Sequence, residues 1–140
     1  MFEAMMQPLR KYADFKGRAS REEFWFFMLF CAVAMAVSGV VLGRLAGLVG
    51  ILLICPQIAV AVRRLHDVGR SGKDLIVPYV MLALAPIVAL FGALAMKALA
   101  LGYAGLVLLL FANLLLSLIK KGSSIPNRYG ASPKAFSFAK

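Results

Sequence analysis

Four stretches of this chain run for eighteen residues or more without a charged side chain: Phe24–Gly43, Leu45–Val62, Leu75–Met96 and Ala98–Ile119. A helix rises about 1.5 Å per residue, so each stretch spans or nearly spans a hydrocarbon layer of ~30 Å. The backbone of such a run must satisfy its own hydrogen bonds, and a helix does so within a single segment. The pattern therefore predicts an all-α membrane protein with four transmembrane helices. Hydrophobic residues make up 62% of the 140, more than a soluble domain of this length can hide. Residues 1–140 read as one membrane domain, with spans at about 24–43, 45–62, 75–96 and 98–119 and a polar tail over 120–140.

Local signals place the helix ends. Ser20-Arg21-Glu22-Glu23 is a capping box: the Ser20 hydroxyl can accept from the Glu23 amide while Glu23 reaches back. Trp25 follows at the membrane boundary, where aromatic side chains collect. Ser71-Gly72-Lys73-Asp74 is a second box, with Asp in place of Glu, ahead of the third run. Pro78 falls in the first turn of that run and is tolerated there, whereas Pro86 lies mid-span. Gly122 and Pro126 follow Lys120-Lys121 as a stop. Gly39, Gly43 and Gly47 repeat at spacing four around Arg44, and a hairpin turn is the preferred reading over close helix packing. Met1–Tyr12 has apolar residues at helical spacing and reads either as a short interfacial helix or as a frayed terminus. Cys31 and Cys55 lie within apolar runs as small buried residues, without metal-site or disulfide spacing. No cleaved signal peptide is expected, because the first apolar run begins only at Phe24.

Charge sets the orientation. Five Lys/Arg precede the first run, four lie between the second and third, and five follow the fourth; Arg44 and Lys97 stand alone on the other side. Fourteen against two places both termini and the middle loop in the cytoplasm. The net charge of +10 is clustered at run ends, which points to topology and anionic lipid rather than nucleic acid.

No run contains Asp, Glu, Lys, Arg or His, which argues against a proton- or ion-coupled transporter, since the ion needs a partner within the membrane. Among the polar residues of the spans, Gln57 and Asn113 lie at similar depth. They are expected to act as glue between helices, with a ligand site as the functional alternative. The middle stretch Arg63–Asp74 holds the sole histidine, four basic residues and two acids. Arg63 with Asp67, and His66 with Arg70, are i,i+4 neighbours on a helical continuation of the second run, and Gly69 is placed to cap its end. The glycine-rich turn that follows, with Arg63, Arg64, Arg70 and Ser71, can hold a phosphate of a lipid headgroup. The structural alternative is a clamp in which Asp67 bridges to Arg18 or Arg21. His66 and Asp67 are the candidates for an acid–base pair, without a nucleophile beside them. No cofactor or metal is expected.

Three separated strings carry a resemblance: Tyr12-x-x-Phe15-x-Gly17-Arg18-x-Ser20-Arg21-x-Glu23-Phe24-Trp25, then Arg63-Arg64-Leu65-His66-Asp67-x-Gly69-Arg70-Ser71-Gly72, then Asn127-Arg128-Tyr129-Gly130-x-x-Pro133. In this order they resemble the bacterial inner-membrane family known as domain of unknown function 805. Lys73 departs from the pattern, standing where members often carry an aromatic. The resemblance implies a multi-pass protein of the bacterial cytoplasmic membrane and brings no activity with it. All three strings fall on the side that charge counting makes cytoplasmic, so Arg18, Arg21, Glu23, Arg63 to Ser71, Asn127 and Arg128 are expected to share one surface. The reading is a non-catalytic membrane component whose cytoplasmic face binds anionic lipid, a partner protein or both. Its rivals are an enzyme acting on a phosphorylated lipid or small phosphate, and a homo-oligomeric channel.

Overall fold

The computed structural model describes residues 2–94 and 97–133, with side chains omitted for residues 2–5 and 92–94. Ala95 and Met96, which end the third expected span, and the tail beyond residue 133 lie outside the described residues. Among the described residues five α-helices follow one another: α1 Phe2–Arg10, α2 Arg21–Leu42, α3 Ala46–Asp67, α4 Ile76–Leu94 and α5 Lys97–Ile119. Short 3₁₀ turns at Gly43–Leu45 and Gly72–Leu75 precede α3 and α4. Among the described residues three stretches are long and apolar enough to cross a membrane: Arg21–Asp67, Gly72–Phe91 and Lys97–Ile119. The fold is thus an all-α multi-span membrane bundle with one short extra helix.

The longest of those stretches is bent back on itself. Gly43, at φ 54°, breaks the helix, and α3 returns antiparallel to α2. The Ala19 amide donates to the Arg63 carbonyl at 3.0 Å across one end of the pair. Toward the other end, Met35 lies against Gly50. No side chain crowds Gly39, Gly43 or Gly47, so the glycine repeat serves the turn rather than a tight helix contact. α4 and α5 form a second hairpin, and α1 leans on α2 and α3, with the Tyr12 hydroxyl donating to the Leu52 carbonyl.

Packing is concentrated at one end. Phe24 and Phe27 of α2, Val60, Ala61 and Leu65 of α3, Leu75, and Leu114 and Leu118 of α5 form most of the core. Beyond it α4 and α5 present apolar side chains outward all round, as with Leu101 at 74% and Leu108 at 70% exposure. Hydrocarbon solvates such side chains as well as a protein interior does, so apolar burial alone cannot hold the helices together. Polar contacts decide where the bundle is tied.

α3 runs past the expected end of its span at Val62 as far as Asp67. The polar residues there are good enough helix formers, and their charges find partners in other segments. The stop is a Schellman motif: Gly69 at φ 78°, with Arg70 N donating to the Leu65 carbonyl at 2.9 Å and Gly69 N to that of His66 at 3.1 Å. At α2 the Ser20 hydroxyl accepts from the Glu23 amide at 3.0 Å, as the capping box requires. The second box differs from expectation. Ser71 Oγ accepts from the Lys73 amide at 3.3 Å, because the turn opens as 3₁₀, and the Asp74 carboxylate goes to Arg70 instead.

Candidate functional site

A helix leaves its last four carbonyls without intrahelical partners. At the charged end of this bundle, α3 and α5 supply donors for each other. Arg64, fully buried, reaches from α3 to the C-terminal end of α5, where Nε donates to the Leu118 carbonyl at 3.0 Å and Nη2 to that of Lys120. A guanidinium also suits the negative end of the α5 dipole. The chain after α5 returns the favour: the Ser123 amide donates to the Asp67 carbonyl at 3.0 Å, and Asn127 Nδ2 to the His66 carbonyl at 2.9 Å.

Asp67 is the hub. One carboxylate oxygen takes Arg64 Nη1, and the other takes Arg18 Nε at 2.9 Å and Nη2 at 2.8 Å. Arg18 uses its remaining donors on the tail, reaching the carbonyls of Ile125 at 2.9 Å, Gly130 at 3.3 Å and Ser123. A planar fork of five donors is suited to this shared recognition of carboxylate and carbonyls. Arg63 turns the other way, 3.2 Å from Glu23 Oε1, an ion pair whose facing atoms are not aligned as a hydrogen bond. The expected Arg63–Asp67 bridge is therefore absent. Arg64, three residues before Asp67, takes its place, since α3 presents Arg63 toward α2.

His66 lies beside this hub. Its Nδ1 donates to the Gly17 carbonyl at 3.1 Å, which fixes the proton on that nitrogen. Its ring stacks on Tyr129 at 3.8 Å between centroids, 3° from parallel, and the Arg128 guanidinium lies 4.7 Å from the Tyr129 centroid. A tight turn over Asn127–Gly130, bonded in both directions, presents these two residues. Arg70 is separate from the hub. It reaches Asp74 Oδ2 at 2.8 Å, Asn113 Oδ1 at 2.9 Å and Ser117 Oγ. Asn113 is thus bonded to Arg70 rather than to Gln57, because the guanidinium descends along α5 far enough to meet it. Arg21 is exposed and has no ion-pair partner among the described residues.

The structure thus brings Arg18, Glu23, Arg63, Arg64, His66, Asp67, Asn127 and Arg128 into one assembly, sets Arg70 and Ser71 a turn away, and leaves Gln57 outside it. Three contributors escaped sequence reasoning. Gly122 passes so close that a Cβ would stand 1.7 Å from Asp67 Oδ2. Tyr129, read as part of a motif, has the role of a stacking partner. The Gly17 carbonyl is a backbone group, to which sequence patterns are blind. Among the described residues no three His, Cys, Asp or Glu side chains gather as metal ligands.

Residues 12–131 match the profile of the family described as "Protein of unknown function (DUF805)", a segment that opens at Tyr12 of the first string and closes within the third. The chain belongs to the DUF805 family. Inner membrane protein YhaI of Escherichia coli K12 is 33% identical over 133 residues, covering 90% of this chain and 91% of the relative. Inner membrane protein YhaH of the same organism is 36% identical over 78 residues, 48% of this chain and 64% of the relative. YiiR, an uncharacterized protein of that organism, is 36% identical over 79 residues, 50% and 54% respectively. No solved structure matches. With its apolar helices, this DUF805 member is a multi-span protein of the bacterial inner membrane.

Proposed function

We propose that this protein is a four-span, non-catalytic component of the inner membrane, with α1 at the interface and both termini cytoplasmic, whose charged end binds anionic lipid. One observation carries the reading: among the cations at that end two sets stand out, beside Arg70, which is paired with Asp74, and Arg128, which lies over Tyr129. Arg18, Arg63 and Arg64 are buried and engaged with acids and carbonyls, whereas Lys16, Arg21, Lys73, Lys120 and Lys121 are exposed without an acidic partner among the described residues. The first set joins the segments together; the second presents positive charge to the leaflet, at about 1 kcal/mol per residue near an anionic surface. The phosphate-holding role considered for Arg63, Arg64 and Arg70 passes on this reading to the exposed set.

The same geometry speaks against the enzyme. Both Asp67 oxygens face arginines, and His66 Nδ1 is bonded to the Gly17 carbonyl rather than to Asp67, so the two do not work as an acid–base pair.

Two measurements test the proposal. Green fluorescent protein fused after Lys140 should fluoresce in cells, and alkaline phosphatase inserted at Lys97 should be active; the reverse pattern overturns the orientation. In native mass spectrometry from mild detergent, dioleoyl phosphatidylglycerol should be retained over dioleoyl phosphatidylcholine, the preference shrinking as salt rises. Equal retention of the two lipids would remove the lipid reading.

A further inference from the structure

Beside the Asp67 hub an open-sided cleft of about 580 Å³ lies between the start of α2 and the end of α5. Its walls differ in kind. Trp25, Phe26 and Ile119 give it an apolar lining, near the ends of the first and last expected spans. Arg21 and Lys121 also line it, both exposed and without an ion-pair partner among the described residues, and so do Arg64 and Asp67. Counting Arg18, which shares Asp67, four cations here meet two acids, Asp67 and Glu22. The surplus calls for an anion. Glu22 adds a second requirement, because one of its carboxylate oxygens is buried with no donor among the described residues.

A free phosphate would use the cations and leave the aromatic wall idle, and an acyl chain would do the reverse. From the combination we infer that the cleft is a binding site for a single phospholipid of the inner leaflet, of the phosphatidylglycerol class. The phosphodiester sits between Arg21 and Lys121, a headgroup hydroxyl donates to Glu22, and the first acyl carbons lie along Phe26 and Ile119. This rests on the anionic-lipid reading and narrows it from a charged surface to one built site.

The test uses the full-length protein in mild detergent, titrated with dioleoyl phosphatidylglycerol and followed by native mass spectrometry. One tightly held lipid per chain is expected. Arg21→Gln with Lys121→Gln should weaken it about thirtyfold, whereas Lys16→Gln with Lys73→Gln, exposed cations outside the cleft, should change it less than about twofold. Unaltered melting without added lipid verifies the fold. Ile119→Asn, which keeps every charge, should weaken the lipid and leave any affinity for glycerol 3-phosphate as it was. Equal weakening by the two charge pairs overturns the cleft and spares the general reading. Displacement of the lipid by equimolar inorganic phosphate or glycerol 3-phosphate overturns the lipid as occupant. Indifference of the unaltered protein between phosphatidylglycerol and phosphatidylcholine removes both.

Discussion

At the charged end of this bundle, α3, α5, the segment before α2 and the segment after α5 exchange donors and acceptors across separations of 44 to 107 residues in sequence. At the opposite end α2 turns into α3 through Gly43–Leu45, and side chains there face outward, Val40 at 88% and Val41 at 72% exposure. Both ends present the same problem of helix termini whose backbone groups lack intrahelical partners. A tight hairpin solves it locally, by continuing the backbone ladder through a 3₁₀ turn. The charged end solves it at long range, by sending arginines of one segment to the carbonyls of another. The difference teaches that the helices, which gain little from apolar contact in hydrocarbon, are tied most densely at one end, and that Asp67 is the acid on which that end turns.

If that is right, Asp67→Asn has the largest effect of any single exchange in the molecule. It leaves Arg18 and Arg64 buried around a neutral side chain, a loss of about 3–5 kcal/mol. Folded yield of a fluorescent fusion and melting in detergent should both fall sharply, and a variant that melts like the parent would show that the hub is dispensable. Gly122→Ala comes next. The added methyl collides with the Asp67 carboxylate and should cost about 1–3 kcal/mol by displacing the tail. Gly105→Ala within α5, where a Cβ meets open space, should be neutral or stabilising by at most about 1 kcal/mol. Equal melting of the two variants would erase the contrast between the tied end and the lipid-solvated helices. The smallest destabilisation belongs to Arg70→Lys. A single ammonium cannot reproduce the fork on Asp74, Asn113 and Ser117, so about 1 kcal/mol is lost, read as a modest drop in melting temperature with yield preserved. A collapse in yield would mean that the α4–α5 hairpin is tied more firmly than its outward-facing surface indicates.

Much of the fold was legible in the sequence because charge-free runs, capping serines and glycine stops act over a few residues. The Ser20 box and the Gly69 stop are local, and the structure has both where the pattern puts them. The hub was legible only in outline. That Asp67 meets a basic residue of the first string followed from three charged strings sharing a side, but the choice of Arg18 over Arg21, and of Arg64 over Arg63, depends on how α3 is rotated against α2. Neither residue type nor spacing encodes that rotation. Gly122 was read as a stop, while its close passage by Asp67 exists only after the tail has folded back.

By itself, then, the chain's order of residues determined a multi-span helical membrane protein, since long uncharged runs have few other stable states in water or in lipid. The tertiary structure alone decided which cations are buried and which are left exposed. That division depends on which carbonyls and carboxylates lie within about 3 Å of each guanidinium, a matter of three-dimensional approach between segments far apart in the chain.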